Sequence, residues 1–373
     1  MGKITHMPLP STTLPAKSVL SDHGRADIDA WTRERGLPAY RGNQLWSALT
    51  QRAVQSSDEL TDWPLSLRAE LGYTFSVRSL ETVVHRRSAS DGAEKALFRV
   101  RGGGTVESVL IEGRNAGGGQ RWTVCVSSQI GCPAACSFCA TGLSGFTRNL
   151  SATEIVDQVM YFAHALRERK QRVSNVVFMG MGEPFLNVPA VRQAVQRLTD
   201  PEGFGLGDRH ITVSTVGITP QVERFAEWGG QTNLAVSLHA PNDELRTQLV
   251  PYNVHFPLDG LLSATRTYIA RTNRRVSFEY VLLRGVNDRP DLALELAELL
   301  RPFGGMAHIN LIPWNPFREG RFIRSEGPDP IAFAAALQRR GLNATIRYSR
   351  GLDISAACGQ LREQVGTGEE VAR

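Results

Sequence analysis

Three cysteines, Cys132, Cys136 and Cys139, fall within GCPAACSFCA at residues 131–140, and the chain has two more, Cys125 and Cys358. Thiols at C-x3-C-x2-C spacing read as metal ligands, because they stand too close together for a disulfide framework and the total of five is odd. A zinc ion usually takes four ligands, and no histidine stands near this loop to complete a tetrahedron. A four-iron cluster can be held at three corners by three thiolates, which leaves one iron open to a substrate or cofactor. A zinc site borrowing a distant ligand and a set of inert loop thiols stand as the competing readings.

The elements that must position these thiols show in an alternation that begins near residue 121. Short apolar or β-branched runs, WTVCVS (122–127), NVVFMG (175–180), HITVST (210–215), LAVSLH (234–239), SFEYVL (277–282) and HINLIP (308–313), are separated by segments of helical period. One such segment, SATEIVDQVMYFAHALRERK, opens with Ser151 and Glu154 at capping-box spacing, and PDLALELAELL follows Asn287 and Asp288. Six strand–helix units predict an α/β fold, a parallel sheet curled into a partial or complete barrel. In such barrels the chemistry sits where the loops leave the C-terminal ends of the strands. The unusual residues fall at those ends: GCPAACSFC, GMGEP, STVG, SLHAPND and PWNP.

Within GMGEP, Gly180–Pro184, missing side chains would let the backbone approach a ligand and Glu183 would accept a hydrogen bond, although a plain turn is the simpler reading. Cys125, inside the first run, reads on its own as a small core residue. Cys358 lies in AACGQL, where Ala356, Ala357 and Gly359 would let a bulky group approach its sulfur. Glu107 in VESVLI and His239 have bland readings too, a solvent-facing strand residue and a satisfied histidine.

Ahead of the barrel, residues 25–75 read as short helices broken by Gly36, Pro38 and Pro64, and TVVHRR, ALFRVR and TVESVLIEG as strands of a β extension. The expected organisation is a loose tail over 1–24, an accessory domain over 25–100, a barrel with its extension over 101–352 and a C-terminal segment over 353–373. The chain has 373 residues, 42% hydrophobic, with net charge +5 and pI about 9.1, a mild basic excess compatible with a polyanionic partner. No apolar run approaches the roughly 18 residues of a membrane span. The opening MGKITHMPLP lacks a signal peptide's apolar core, and His6 stands where a myristoylation signal wants Ser or Thr, so the expectation is cytoplasmic. The basic runs RERKQR (167–172) and RTNRR (271–275) read equally as solvated ends or phosphate contacts.

The C-x3-C-x2-C loop after a strand resembles the radical S-adenosylmethionine (SAM) superfamily, in which the open iron is chelated by SAM and reductive cleavage gives a 5′-deoxyadenosyl radical. VESVLI, VCVSSQIGC, CATG, GFTRNL, VFMGMGEP, STVG, SLHAPND, NLIPWNP and RGLDISAACGQL occur in order, and together they resemble the RlmN and Cfr family of adenosine methyltransferases. The resemblance runs from about residue 100 to 362, and GLPAYRGNQLW at 36–46 is similar to that family's N-terminal accessory domain.

The resemblance implies a radical SAM partial (βα)6 TIM-type barrel with a small helical accessory domain. It implies a 4Fe–4S cluster on Cys132, Cys136 and Cys139, and SAM contacts at Gly182, Glu183, Ser214, Ser237, Leu238, His239 and Asn315. Cys358 would be the S-methylcysteine intermediate, Cys125 the resolving thiol of a transient disulfide and Glu107 a proton acceptor, with two SAM molecules consumed per turnover. The implied substrate is an adenosine of 23S rRNA, with a tRNA adenosine beside the anticodon as a second target. An electron donor such as flavodoxin or ferredoxin, a monomeric state and no membrane association are implied as well. Carbon 2 of adenine is the RlmN outcome, favoured by GEPFLN and NLIPWNPF. Carbon 8 is the Cfr outcome, toward which TVSTVGITP, DQVMYF and ATIRYSRGLDISAACGQL lean. A radical enzyme acting on other substrates and an RNA-binding protein with a structural cluster are the remaining alternatives.

Overall fold

The computed structural model describes residues 17–114 and 117–362. The first strand, β1 (Ser18–Val19), pairs in parallel with β2 (Phe75–Ser76), and between them lie α1 (Arg25–Glu34), α2 (Tyr40–Thr50) and α3 (Leu65–Thr74). Trp31 and Trp63 stack at 6.4 Å inside this unit, and Leu20, Leu45, Leu60 and Leu71 are buried around them. The loose tail expected over 1–24 is therefore shorter at its inner end. Ser18 and Val19 are strand residues and Leu20 is core, while residues 1–16, like 363–373, lie outside the described part.

An antiparallel run follows, β3 (Leu80–Arg87), β4 (Glu94–Val100) and β5 (Thr105–Arg114), and passes into β6 (Gln120–Cys125), the first barrel strand. A small hairpin, β7 (Gln129–Gly131) and β8 (Phe146–Asn149), brackets the cysteine loop and the one-turn α4 (Ala140–Leu143). Helix and strand then alternate through α5 (Ala152–Glu168), β9 (Asn175–Phe178), α6 (Val188–Thr199), β10 (Ile211–Thr215), α7 (Thr219–Phe225) and β11 (Asn233–Ser237). The series continues with α8 (Asp243–Leu249), α9 (Leu258–Thr272), β12 (Val276–Leu282), α10 (Pro290–Leu300), β13 (Ala307–Pro313), α11 (Pro328–Arg339) and β14 (Asn343–Ile346).

Ten strands form one sheet in the order β14-β13-β12-β11-β10-β9-β6-β5-β4-β3, parallel from β14 to β6 and antiparallel beyond. The sheet is thus an open, partial barrel with an antiparallel wing. All six expected strands are present, and β14 adds a seventh parallel strand. Its four residues NATI alternate between exposed and covered, too short and too polar a run to register as an apolar strand. The helices form for ordinary reasons. Ser151 accepts from the Glu154 N–H (3.1 Å) while Glu154 accepts from the Ser151 N–H (2.8 Å), which closes the capping box at the start of α5.

Two buried carboxylates fasten the layers. Asp157 on α5 accepts from Ser21 Oγ (2.8 Å), the Ser79 N–H (2.7 Å), Ser79 Oγ (2.8 Å) and Arg78 (3.1 Å), joining the N-terminal unit to the barrel. Glu94 on β4 meets Arg169 at the end of α5 and His85 on β3 (3.1 Å), so part of the basic run 167–172 is structural. Burial alone would raise the Glu94 carboxyl, but the hydrogen bonds from His85 and Arg169 prevail and hold it down at about 2.

Asp157→Ala strands the Arg78 guanidinium in a buried setting and is expected to cost about 3–5 kcal/mol. A lowered melting temperature and faster proteolysis near residues 77–80 check it. Because the Glu94 pKa is depressed on folding, its contribution to stability is complete above the ordinary value of 4.5 and is lost as pH falls toward about 2. Melting curves between these pH values should show a steeper decline for the native chain than for Glu94→Gln.

Candidate active site

The loop that carries the thiols leaves β7 and is held at both ends by backbone hydrogen bonds. The Cys132 N–H donates to Gly145 O (2.7 Å) and the Ser137 N–H to Leu249 O at the end of α8 (2.9 Å). Trp314, just past β13, donates its indole N–H to Phe138 O (2.8 Å), and the Ala140 N–H donates to Gly359 O (2.8 Å). Cys139 is the residue before α4, and Ala135 takes a left-handed φ of 53° to turn the loop. Cys132, Cys136 and Cys139 all line one cavity of about 950 Å³ including its mouth, at the C-terminal ends of the barrel strands. Burial pushes the Cys132 thiol up to about 12 and raises Cys136 and Cys139 as well, so a cation must displace their protons on binding.

The opposite wall is built from the other strand ends. Gly182 has φ 105°, and a Cβ there would lie 2.7 Å from Gln129, so the turn after β9 admits no side chain. Glu183 is buried, with Oε1 accepting from the Phe185 N–H (2.9 Å) and Oε2 from the Val216 N–H after β10 (2.8 Å). Burial raises its carboxyl to about 7 against the pull of those bonds. Ser214 and Ser237 bring their hydroxyls within 3.4 Å at the ends of β10 and β11. His239 holds a left-handed φ of 62°, supported by Asn287, which donates to its carbonyl (2.9 Å). Its Nδ1 accepts from the Val281 N–H (3.0 Å), which assigns the ring proton to Nε2. Burial, reinforced by Arg246, pushes this imidazole down to about 3 and keeps it neutral.

The C-terminal segment supplies the remaining wall. Cys358 lines the cavity and is exposed there, and Asn315 donates to its carbonyl (2.9 Å) and to Ser349 Oγ (2.8 Å). Cys125 is buried at the end of β6, outside the cavity lining. Burial raises its thiol above the usual range, and Cys358 is near enough to add to the shift.

Besides Cys125, two expected site residues sit outside the lining. Leu238 is fully buried and outside the cavity lining, and meets its neighbours through backbone bonds to Glu279 O (2.9 Å) and from Arg246 Nε (3.0 Å). Glu107 is 3% exposed, which corrects the solvent-facing reading, and it too is outside the lining. Its oxygens meet Lys95 Nζ (2.8 Å) and the Arg362 N–H (2.8 Å).

Arg246, read only as part of a helical segment, is 1% exposed and clamps three strand-end carbonyls: Leu238 (3.0 Å), Val216 (2.5 Å) and Ser237 (3.1 Å). Glu279, read only as one letter of SFEYVL, lines the cavity floor. A motif search passes over both because single charges in helices and strands are ordinarily surface residues.

The chemistry of the donors can be tested against the groups the sequence implies. Among the described residues no three His, Cys, Asp or Glu side chains are gathered so as to hold a metal ion. Cys132, Cys136 and Cys139 line the same cavity as Gly182, Ser214 and Ser237, so a cluster held by the thiols would share that space with a cofactor met by bare backbone and hydroxyls.

Residues 126–297 match the Radical SAM superfamily. A protein of Thermosynechococcus vestitus named "Probable dual-specificity RNA methyltransferase RlmN" is 48% identical over 345 residues, 92% of this chain and 98% of that one. A protein of the same name from Gloeobacter violaceus is 48% identical over 343 residues, 92% and 94% of the two chains. The crystal structure of a radical SAM methyltransferase from Sphaerobacter thermophilus superposes with TM-score 0.86 at 44% identity, covering 92% of this chain and 99% of that one. The chain belongs to the RlmN family of radical SAM methyltransferases. Membership of the family implies a 4Fe–4S cluster and SAM. No helix among the described residues is long and apolar enough to cross a membrane.

Replacing Arg246 by Ala removes the donor that the Leu238, Val216 and Ser237 carbonyls share, although Leu238 O keeps the Ala240 N–H (2.9 Å). A loss of about 3 kcal/mol or more is expected, to be measured by denaturant titration against the native protein.

Proposed function

We propose that the protein methylates carbon 2 of an adenosine in 23S rRNA, and of an adenosine beside the anticodon of tRNA, through an S-methylcysteine on Cys358. The observation that carries this reading is the position of Cys358 on the wall of the cavity lined by Cys132, Cys136 and Cys139, with Cys125 close behind it. A radical enzyme acting on small molecules has no need of two further thiols at that place. The relatives' name supports RNA as the substrate and the second, tRNA target.

In this reading Cys132, Cys136 and Cys139 hold the 4Fe–4S cluster, while Gly182, Glu183, Ser214, Ser237, His239 and Asn315 surround the SAM. When bound, these groups supply an electron and a carbon-centred radical able to take a hydrogen atom from a methyl group. An aromatic C–H carbon is not a nucleophile, so direct methyl displacement fails there. The Cys358 sulfur is a nucleophile and accepts the methyl group first. Once that methyl has lost a hydrogen atom, its carbon bonds to the adenine ring. The adduct must then give up one electron, which the cluster when bound would take back, and the proton of the attacked carbon, for which Glu107 is the acceptor, leaving the RNA linked to Cys358. The Cys125 thiolate then attacks the Cys358 sulfur, the carbon–sulfur bond breaks with its electron pair going to the base, the released carbon takes up a proton to become the methyl group, and the two cysteines remain as a disulfide that a reductant must open. Two SAM molecules are used, one for methylation and one for hydrogen abstraction, and a reduced flavodoxin or ferredoxin supplies the electron.

Asn315 suits a positioning role, because its amide holds the Cys358 carbonyl while its face borders the cavity. Leu238 contributes through its backbone alone, and for Glu107 to accept the proton it must release Lys95 or the Arg362 N–H. The His239 Nε2–H donates as a neutral imidazole. Carbon 8 is the competing position on the ring, and the likeness to RlmN relatives over the whole barrel favours carbon 2.

Cys358→Ala is expected to abolish methylation while leaving the cluster's visible absorption unchanged, whereas Cys125→Ala should accumulate a covalent protein–RNA adduct. Digested RNA is compared with 2-methyladenosine and 8-methyladenosine standards by mass spectrometry. Methylation by the Cys358→Ala protein, or an 8-methyl product, would sink the reading.

A further inference from the structure

The interior of a parallel barrel is ordinarily filled by Val, Ile and Leu, yet one level of this one is polar. In the strand register, Ser237 on β11 stands beside Glu279 on β12, which stands beside Asn310 on β13. Glu279 is 5% exposed, and its Oε1 accepts from Asn310 Nδ2 (2.7 Å). Its Oε2 is buried and has no hydrogen-bond partner among the described residues, and the side chain forms part of the floor of the cavity that Cys358, His239, Ser214 and Ser237 also line. A buried carboxylate oxygen left without a donor costs several kcal/mol, so such an atom persists where something else supplies the donor. Burial raises this carboxyl, and the Arg347 guanidinium and the bond from Asn310 act against the rise.

We propose that Glu279 is a further ligand-binding residue of this cavity, its free Oε2 accepting a hydrogen bond from a donor of an adenosine group, either the exocyclic amine or a ribose hydroxyl. The class of ligand rests on the function proposed above, in which both the cofactor and the RNA target are adenosines. A hydroxyl or amine suits the place better than a metal ion, because the register neighbours of Glu279 on this level are a serine and an amide rather than further carboxylates. The floor position also explains why Asn310 points inward: it holds one carboxylate oxygen so that the other faces the ligand.

The test uses the full-length protein with its cluster reconstituted, as native, Glu279→Gln and Glu279→Ala forms. Glu279→Gln keeps an acceptor for Asn310 and turns a donor toward the cavity, so it preserves the packing and removes only the proposed interaction. Melting temperature and iron content are measured first. SAM binding is then measured by equilibrium dialysis, and RNA binding by fluorescence anisotropy with an adenosine-containing stem-loop.

Loss of a charge-assisted hydrogen bond should weaken one of the two affinities on the order of tenfold to a hundredfold in both variants. A rise in the dissociation constant for SAM alone assigns the donor to the cofactor, and a rise for RNA alone assigns it to the target base. If the Glu279→Gln protein melts like the native one and binds both within twofold of it, the proposal is overturned. Should Glu279→Ala fail to fold, the Gln variant decides. Failure of the native protein to methylate RNA overturns the proposed function, while the binding of SAM and RNA still decides the role of Glu279.

Discussion

The cavity depends on the attachment of the cysteine loop to the C-terminal segment. The Ala140 N–H reaches Gly359 O at 2.8 Å and the Thr141 hydroxyl reaches Leu361 O at 2.6 Å, two bonds across more than half the chain. Gly359 adopts φ 81°, the left-handed region where glycine is at ease, although a Cβ would meet nothing nearer than 3.7 Å. The requirement is therefore on backbone direction: the turn aims that carbonyl at the loop. Gln360 completes the attachment by donating to Pro316 O at 2.6 Å, beyond β13. Cys358 immediately precedes these fixed points, so its place beside Cys132, Cys136 and Cys139 on the cavity wall is set by its neighbours' backbone.

A site assembled from loops at one barrel end must satisfy many backbone groups away from water, and buried charged side chains do this here. Glu183 takes two N–H groups from different loops, Arg246 gives to three carbonyls, and Asn287 spans His239, Val281 and Leu283. Each tie crosses between strand ends, so the loops form one connected polar layer above an apolar core. Such a layer is costly if partly satisfied and rigid if complete. Rigidity suits a site that must hold reacting groups in contact while excluding competing partners for them.

How much of this could be read in the amino-acid order varies with how local the cause is. The six apolar strands, the α5 capping box and the C-x3-C-x2-C loop are local patterns, and each is found where its spacing places it. The polar strand β14 was illegible because its pairing with β13, not its composition, makes it a strand. Arg246 and Glu279 were illegible for a related reason. A single charge in SLHAPNDELRTQL or SFEYVL reads as surface, and only the barrel's closure turns it inward. Glu107 could be read either way from alternation, and its burial follows from the next strand and the C-terminal segment covering it. Cys125 reads in isolation as a small core residue, Cys358 stands out by the small residues that flank it, and their nearness is a property of topology.

The antiparallel wing explains why the barrel is extended on one side alone. Strand β6 would be an exposed edge, and β5 covers it along six register pairs from Val109–Cys125 to Arg114–Gln120. The same wing reaches the reaction side through Glu107, whose N–H contacts Met181 Sδ at 3.4 Å and whose carboxylate holds Arg362. Lys95 on β4 bonds both Glu107 and the Ser355 carbonyl, at 2.8 and 3.0 Å. The wing therefore grips the C-terminal segment on either side of Cys358, at 355 and at 362, while the cysteine loop grips it at 359 and 361. With four anchors in eight residues the backbone on both sides of Cys358 is held, which leaves its side-chain torsion as the least costly motion of the sulfur. Larger excursions require the wing and the loop to release together, so the extension that covers a sheet edge also limits where the sulfur can go.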